Sequence, residues 1–157
     1  MTEKIPKGYH TVTPMLMFKD SRKAIDFYKL AFGAQEHYAM PGPDGKGVMH
    51  AEMQIGNSIF MMGDEYPQQP GKSAETAGGS PVSFYLYVED ADEAFRTATD
   101  AGAVTDMPVQ DMFWGDRVGT VRDPFGYSWS VATHTRDLSP EEIRQGAEAA
   151  FAQMAKG

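Results

Sequence analysis

The chain of 157 residues carries one segment twice, and that duplication restricts its folding more than any other feature. Leu16-Met-Phe-Lys-Asp20-Ser-Arg-Lys-Ala24 returns as Leu86-Tyr-Val-Glu-Asp90-Ala-Asp-Glu-Ala94, 70 positions on. In each copy a short apolar strand stops at an aspartate and a helix is predicted to follow. Each aspartate is placed to cap its helix, because its carboxylate can accept the unpaired N–H groups of the first turn. Ala24, Phe27, Tyr28 and Ala31 in the first copy, and Ala91, Ala94, Phe95 and Ala98 in the second, recur at the spacing of one buried helical face. Gly33 and Gly102 stand where left-handed C-cap residues are wanted.

Strand-like sequence follows each helix. The first copy predicts strands over 35–40, 48–55 and 58–62, with a Gly56-Asn57 turn between the last two. The second predicts strands over 104–109, 117–122 and 127–133, with a turn through Asp123-Pro-Phe-Gly126. Both copies therefore read strand–helix–strand–strand–strand, over about 9–64 and 82–134. Residues 65–81 between them are rich in Gly, Pro, Ser and Gln without periodicity, and read as a mobile connection. Ser139-Pro140-Glu141-Glu142 starts a terminal helix over about 139–156, with an N-cap, a proline at the first helical position and acids in the first turn. Its narrow stripe of Ile143, Ala147, Ala150, Phe151 and Met154 must dock either on its own sheet or on a partner subunit. The expected fold is α+β: two βαβββ modules pairing into a cup-shaped mixed β-sheet, with an extra C-terminal helix. A half-sheet with one helix covers one face only, so pairing two of them leaves a concave face as the natural ligand site.

Composition narrows the partners. With no cysteine there is no disulfide framework and no thiol nucleophile. A net charge of −8 argues against nucleic acid or an anionic membrane, both of which reward a basic face. The first residues lack an apolar core segment and no run approaches eighteen apolar residues, so a soluble, cytoplasmic protein is expected. No G-x-S-x-G elbow, P-loop or dinucleotide fingerprint occurs.

Over roughly residues 9–134 the chain resembles the vicinal oxygen chelate superfamily, which includes glyoxalase I, bleomycin-resistance proteins and ring-cleaving dioxygenases. The markers are Ser21-Arg-Lys-Ala-Ile-Asp-Phe-Tyr28, Val48-Met-His50-Ala-Glu52, Trp114-Gly-Asp-Arg117 and, above all, Asp123-Pro-Phe-Gly126-Tyr-Ser-Trp129. The segments of His50 and Trp114 are similar to the PhnB-like branch, and the resemblance implies a homodimer with cups at the module junctions. It also implies a divalent metal held from the first and last strands of each module, at positions that correspond to Thr13, Ser83, Met61 and Ser130. None of these is a suitable ligand, because such ions want carboxylate or imidazole rather than neutral hydroxyl or thioether. The expectation is therefore no metal and no other cofactor, with a divalent ion at a rearranged site left open.

Other residues remain as candidates. His50 and Glu52 leave the same face of a predicted strand and form a possible acid–base pair, a solvated polar pair being the plain alternative. Trp114, Asp116 and Arg117 offer a stacking plate and a planar cation to an aromatic or anionic ligand, or else a surface loop in which Asp116 pairs with Arg117 or Arg122. Trp129 alternates with Tyr127 on an aromatic strand face, which suits core packing or dimer contact better than ligand stacking. Met61, with Met15, Met17, Met49, Met53 and Met62, gives adaptable apolar surface, though core filling accounts for most methionines. His10, His37 and His134 read as structural. Two functions follow: metal-independent binding of a small organic ligand in a cup, or a lyase or isomerase working through His50 and Glu52. A regulatory protein acting through partners also stays open.

Overall fold

The computed structural model describes residues 2–157, and the duplicated segment folds twice in the same way. The first module runs β1 (Met15–Phe18), α1 (Ser21–Phe32), β2 (Gln35–Met40), β3 (His50–Ile55) and β4 (Ser58–Asp64). A short helix, α2 (Ala74–Ala77), follows. The second module runs β5 (Ser83–Tyr87), α3 (Ala91–Asp100), β6 (Val104–Asp111), β7 (Asp116–Arg122) and β8 (Ser128–His134), and α4 (Pro140–Met154) ends the chain. The caps are those the sequence predicts except at the end of α3, where right-handed Ala101 is the C-cap and Gly102 follows it at φ 119°. Asp20 accepts from the backbone N–H of Lys23, Asp90 from that of Glu93, and Gly33 closes α1 at φ 63°. Ser139 and Glu142 complete a reciprocal capping box on α4.

The modules form two mixed four-stranded sheets, ordered β1-β4-β3-β2 and β5-β8-β7-β6, rather than one continuous sheet. In each, the first strand runs parallel to the last and the other pairings are antiparallel. A seam between the modules is marked by two clefts, one lined from β1 and β5 and the other from the β3–β4 hairpin and β5. On the other side α1 packs against α3, so both helices lie in one layer. The core is shared by the modules, because Trp129 of β8 lies within 4.8 Å of Phe32 and 5.2 Å of Tyr28 on α1, ring centre to ring centre, and stacks on Phe84 at 4.5 Å.

The Asp123-Pro-Phe-Gly126 turn is the bolt of that core. One carboxylate oxygen of Asp123 accepts from the backbone N–H groups of Phe125 and Tyr127, folding the turn. The other accepts from Tyr28 of the first module and from the Trp129 indole N–H. Burial pushes the Asp123 carboxyl up, against the downward pull of these four donors. Tyr127 adds a second tie, its hydroxyl donating to the Met17 carbonyl. Because the Tyr127 amide serves Asp123, β8 begins one residue later than predicted; β3 likewise begins at His50 because the Val48 amide donates to Asp64.

Two expectations are corrected. The connection is not a structureless stretch: Ser73 caps α2, and Glu65 accepts from the Ser73 amide and the Thr76 hydroxyl, which pins α2 beside β1. The terminal helix α4 docks only shallowly, and on a loop rather than on the sheet: Ile143, Ala147 and Ala150 are half-buried and Gly146 lies against Phe113. It buries no residue, and Phe151 and Met154 stay largely exposed beside Phe113.

Candidate ligand-binding site

Alternation along the strands decides which side chains meet a ligand. In the first sheet Leu16, Phe18, Ala51, Met53, Phe60 and Met62 are buried toward α1. The residues between them leave by the opposite face, where the register lines up Met15, Met61, Glu52 and Tyr38 in a row across four strands. The corresponding row of the second sheet is Tyr85, Ser130, Thr120 and Met107. Thr120 and Ser130 hydroxyls are joined at 2.8 Å.

These rows test whether the residues fit a divalent ion. They hold two thioethers and a single carboxylate in the first module, and hydroxyls in the second. Thr13 lies ahead of β1 with its hydroxyl on the His10 carbonyl, and Ser83 faces Ser128 at the start of β5. Among the described residues no three His, Cys, Asp or Glu side chains converge as a metal site. The donor set does not suit the ion that the resemblance implies, because thioether and neutral hydroxyl bind such ions weakly.

His50 and Glu52 do share the open face of β3. Their nearest nitrogen and oxygen are 3.6 Å apart, which is too long for a hydrogen bond but within ion-pair range when the imidazole is charged. A residue that sequence reasoning passed over lies beside them: the buried Tyr9 hydroxyl faces Glu52, and burial first, then that carboxylate, pushes it up to about 12. The segment before β1 therefore folds back over the open face of the first sheet.

The second cluster is built differently from its expectation. Asp116 is 3% exposed, and one of its oxygens accepts from the hydroxyls of Tyr85 at 2.9 Å and Tyr87 at 3.1 Å and from the Trp114 indole at 3.2 Å. Its other oxygen takes Nδ1 of His134 at 2.8 Å. Burial alone would raise the Asp116 carboxyl, but donation from His134, the two tyrosines and Trp114 outweighs it and holds the group below its ordinary value. The bond to Asp116, with that from His134 Nε2 to Asp137 at 2.9 Å, raises His134. Burial, and then the Asp116 carboxylate, pushes Tyr85 up to about 12 and Tyr87 upward as well. His134 is thus no isolated structural histidine, and Asp116 pairs with it rather than with Arg117 or Arg122.

Arg117 and Trp129 sit apart from this face. Arg117 alternates with Asp116 and turns to the helix side, where Asp92 and Asp111 hold it. Trp129 is 2% exposed in the aromatic core, so its indole is packing surface between the modules.

The clefts nearest these rows lie on the seam between the modules. One of about 240 Å³ is lined by His10, Val12, Pro14, Phe84, Tyr85 and Trp129 among others. A second, of about 500 Å³, shares Val12, Pro14 and Phe84 and adds Met15, Met17 and Val82. Both are mostly apolar, with aromatic walls and a few polar edges, the make-up of small-molecule sites. No helix among the described residues is long and apolar enough to cross a membrane.

Comparison with known proteins agrees with this architecture. The model of the glyoxalase/bleomycin resistance protein/dioxygenase superfamily matches residues 10–131. An uncharacterized protein of Mycobacterium bovis is 41% identical over 136 residues, covering 85% of this chain and 89% of the relative. The solved structure of an Arabidopsis thaliana gene product is 33% identical with a TM-score of 0.61, covering 79% of this chain and 98% of that one. TioX from Micromonospora sp. ML1 is 26% identical with a TM-score of 0.63, over 83% of this chain and 100% of its own.

Proposed function

The chain belongs to the glyoxalase/bleomycin resistance protein/dioxygenase superfamily, and from that premise we propose that it binds a small, largely apolar organic molecule without a metal ion. The observation that carries this reading is the seam between the two modules. Its clefts join Met15, Met17, Phe84 and Tyr85 where two thioethers, Met15 and Met61, and two hydroxyls, Tyr85 and Ser130, take the places that face one another across each sheet. Soft, adaptable methionine and flat aromatic surface accept varied apolar bodies, and Trp114 and Asp116 supply polar character at the far end of the second sheet. Binding of this kind draws on shape and desolvation rather than Lewis acidity.

We further propose that the working form is a cytoplasmic homodimer. Met15, Tyr38 and Met40 remain well exposed on the open face of the first sheet, and a second copy would cover them and complete the hollow. The test is a thermal-shift screen of chelator-treated protein against neutral aromatic compounds, with N-phenyl-1-naphthylamine as fluorescent probe. Saturable binding that Met15→Glu and Phe84→Ala weaken supports the reading; binding that appears only after a divalent ion is restored defeats it.

An acid–base reading, as a lyase or isomerase, rests on His50 and Glu52 sharing one face with the Tyr9 hydroxyl beside them. It predicts that His50→Gln abolishes turnover while leaving probe affinity unchanged.

A further inference from the structure

The Asp116 cluster holds more chemistry than the seam reading uses. A carboxylate buried to this degree is held by three donors, Tyr85 and Tyr87 on β5 and Trp114 before β7, and in turn fixes one half-exposed imidazole, that of His134 on β8. The fold itself does not demand this. In the first module the places of Asp116 and His134 fall on Val48 and Glu65, which form no such cluster, and Asp64, in the place of Thr133, accepts from the backbone amides of Ser21 and Val48. In the second module the matching helix amide, that of Ala91, is met by Thr133, which frees the neighbouring His134 for something else.

The arrangement also favours the charged form of the ring. Carboxylates accept only, so both ring nitrogens must carry protons to satisfy Asp116 and Asp137 at once. His134 is then an imidazolium with a buried, immobile partner on Nδ1 and a fully exposed, displaceable one on Nε2. It opens onto a shallow, open surface depression shared with Tyr87, Val88, Glu89 and Thr133, in which Tyr87 is 67% exposed. A flat aromatic plate beside a cation with a removable anion describes a receptor for an aromatic acid.

We propose that His134 anchors a second small-molecule site, which takes the oxyanion of an aromatic acid, a phenolate or a carboxylate, and that Asp137 occupies this anchor in the free protein. A phenol entering the site loses its O–H proton to solvent, and its oxygen accepts the Nε2–H that Asp137 releases. The ring lies against Tyr87. The groups that face His134 are Asp116 from β7, Tyr85 and Tyr87 from β5 through Asp116, Asp137 beyond β8, and Glu89 before α3; Glu89 opposes the anion. Binding falls as pH rises past the point at which His134 loses its proton. This site is independent of the seam and does not rest on the seam reading.

The test is absorbance titration of 4-nitrophenol, with the protein in a buffer just below the pKa of the phenol, following its visible phenolate band. The expected result is a saturable rise, displaced by benzoate, tightened several-fold in Asp137→Ala and weakened about tenfold or more in His134→Gln. The His134 imidazole resonances of the wild-type protein should shift with the same affinity, a readout that needs no variant to fold. Absence of a saturable signal in both wild type and Asp137→Ala, equal affinity in His134→Gln, or displacement of 4-nitrophenol by N-phenyl-1-naphthylamine from the seam would each overturn the proposal.

Discussion

Row for row, Met15, Met61, Glu52 and Tyr38 of the first module stand where Tyr85, Ser130, Thr120 and Met107 stand in the second. The backbones repeat strand for strand and the capping aspartates repeat residue for residue, yet the open faces share no side chain. The turns differ as well. Gly56 and Asn57 join β3 to β4 in two residues, whereas the turn from β7 to β8 is longer and folds around Asp123. Duplication has thus kept the local framework of each module, the N-caps and the helix face. What lies between the modules, or in front of the sheets, belongs to one copy only.

That contrast can be broken most directly at the two turns. Asp123→Ala strands four donors, two of them buried side chains of different modules, and should cost about 3–5 kcal/mol of unfolding free energy in denaturant titration. Asn57→Ala, in the corresponding turn, should stay within about 0.5 kcal/mol. Equal losses at both sites would mean that the modules are joined some other way. Tyr28→Phe removes one of the four donors and should cost about 1–2 kcal/mol, with Trp129 fluorescence reporting the loosened contact.

The polar cluster of the second module should give it a pH response that the first lacks. His134 is raised above its ordinary 6.5, so its contribution to stability is complete below that value and disappears as pH rises through the raised one. Asp116 is lowered, so its contribution is present above its ordinary 3.8 and is lost as pH falls through the lower value. Denaturation midpoints measured across pH should therefore fall on the alkaline side of 6.5 in the wild-type protein and run flatter in His134→Gln. The smallest effect belongs to α4. Ser139→Ala removes its capping box and should weaken that helix by about 0.5–2 kcal/mol, visible as faster amide exchange along α4 with little change in global melting.

How much of this was legible beforehand follows from the range of each interaction. The strand–helix repeat, the Asp20 and Asp90 caps and the Ser139 box are local patterns of period and spacing, and the sequence carries them openly. The Asp123 turn was visible as a motif, but its partner Tyr28 lies 95 residues away and shows no pairing signal. Likewise Asp116 and His134 meet only because β7 and β8 pair in one register, and Tyr85 and Tyr87 reach them from a strand that adjoins β8 in space alone. The parity of Tyr85 and Tyr87 was the available hint, since two hydroxyls on one face ask for a shared acceptor. Glu65 was hidden by the composition around it. A Gly- and Ser-rich stretch reads as loose until one carboxylate is seen to gather the Ser73 amide and the Thr76 hydroxyl.

The central claim is that the hollow along the seam binds apolar aromatic molecules with no ion in attendance. Fluorescence titration of N-phenyl-1-naphthylamine into chelator-treated protein, repeated after dialysis against Ni, Zn, Mn and Fe salts, tests it in one measurement. The account predicts saturable binding of equal affinity in every sample. Binding confined to a metal-loaded sample, with one ion retained per chain, would contradict it.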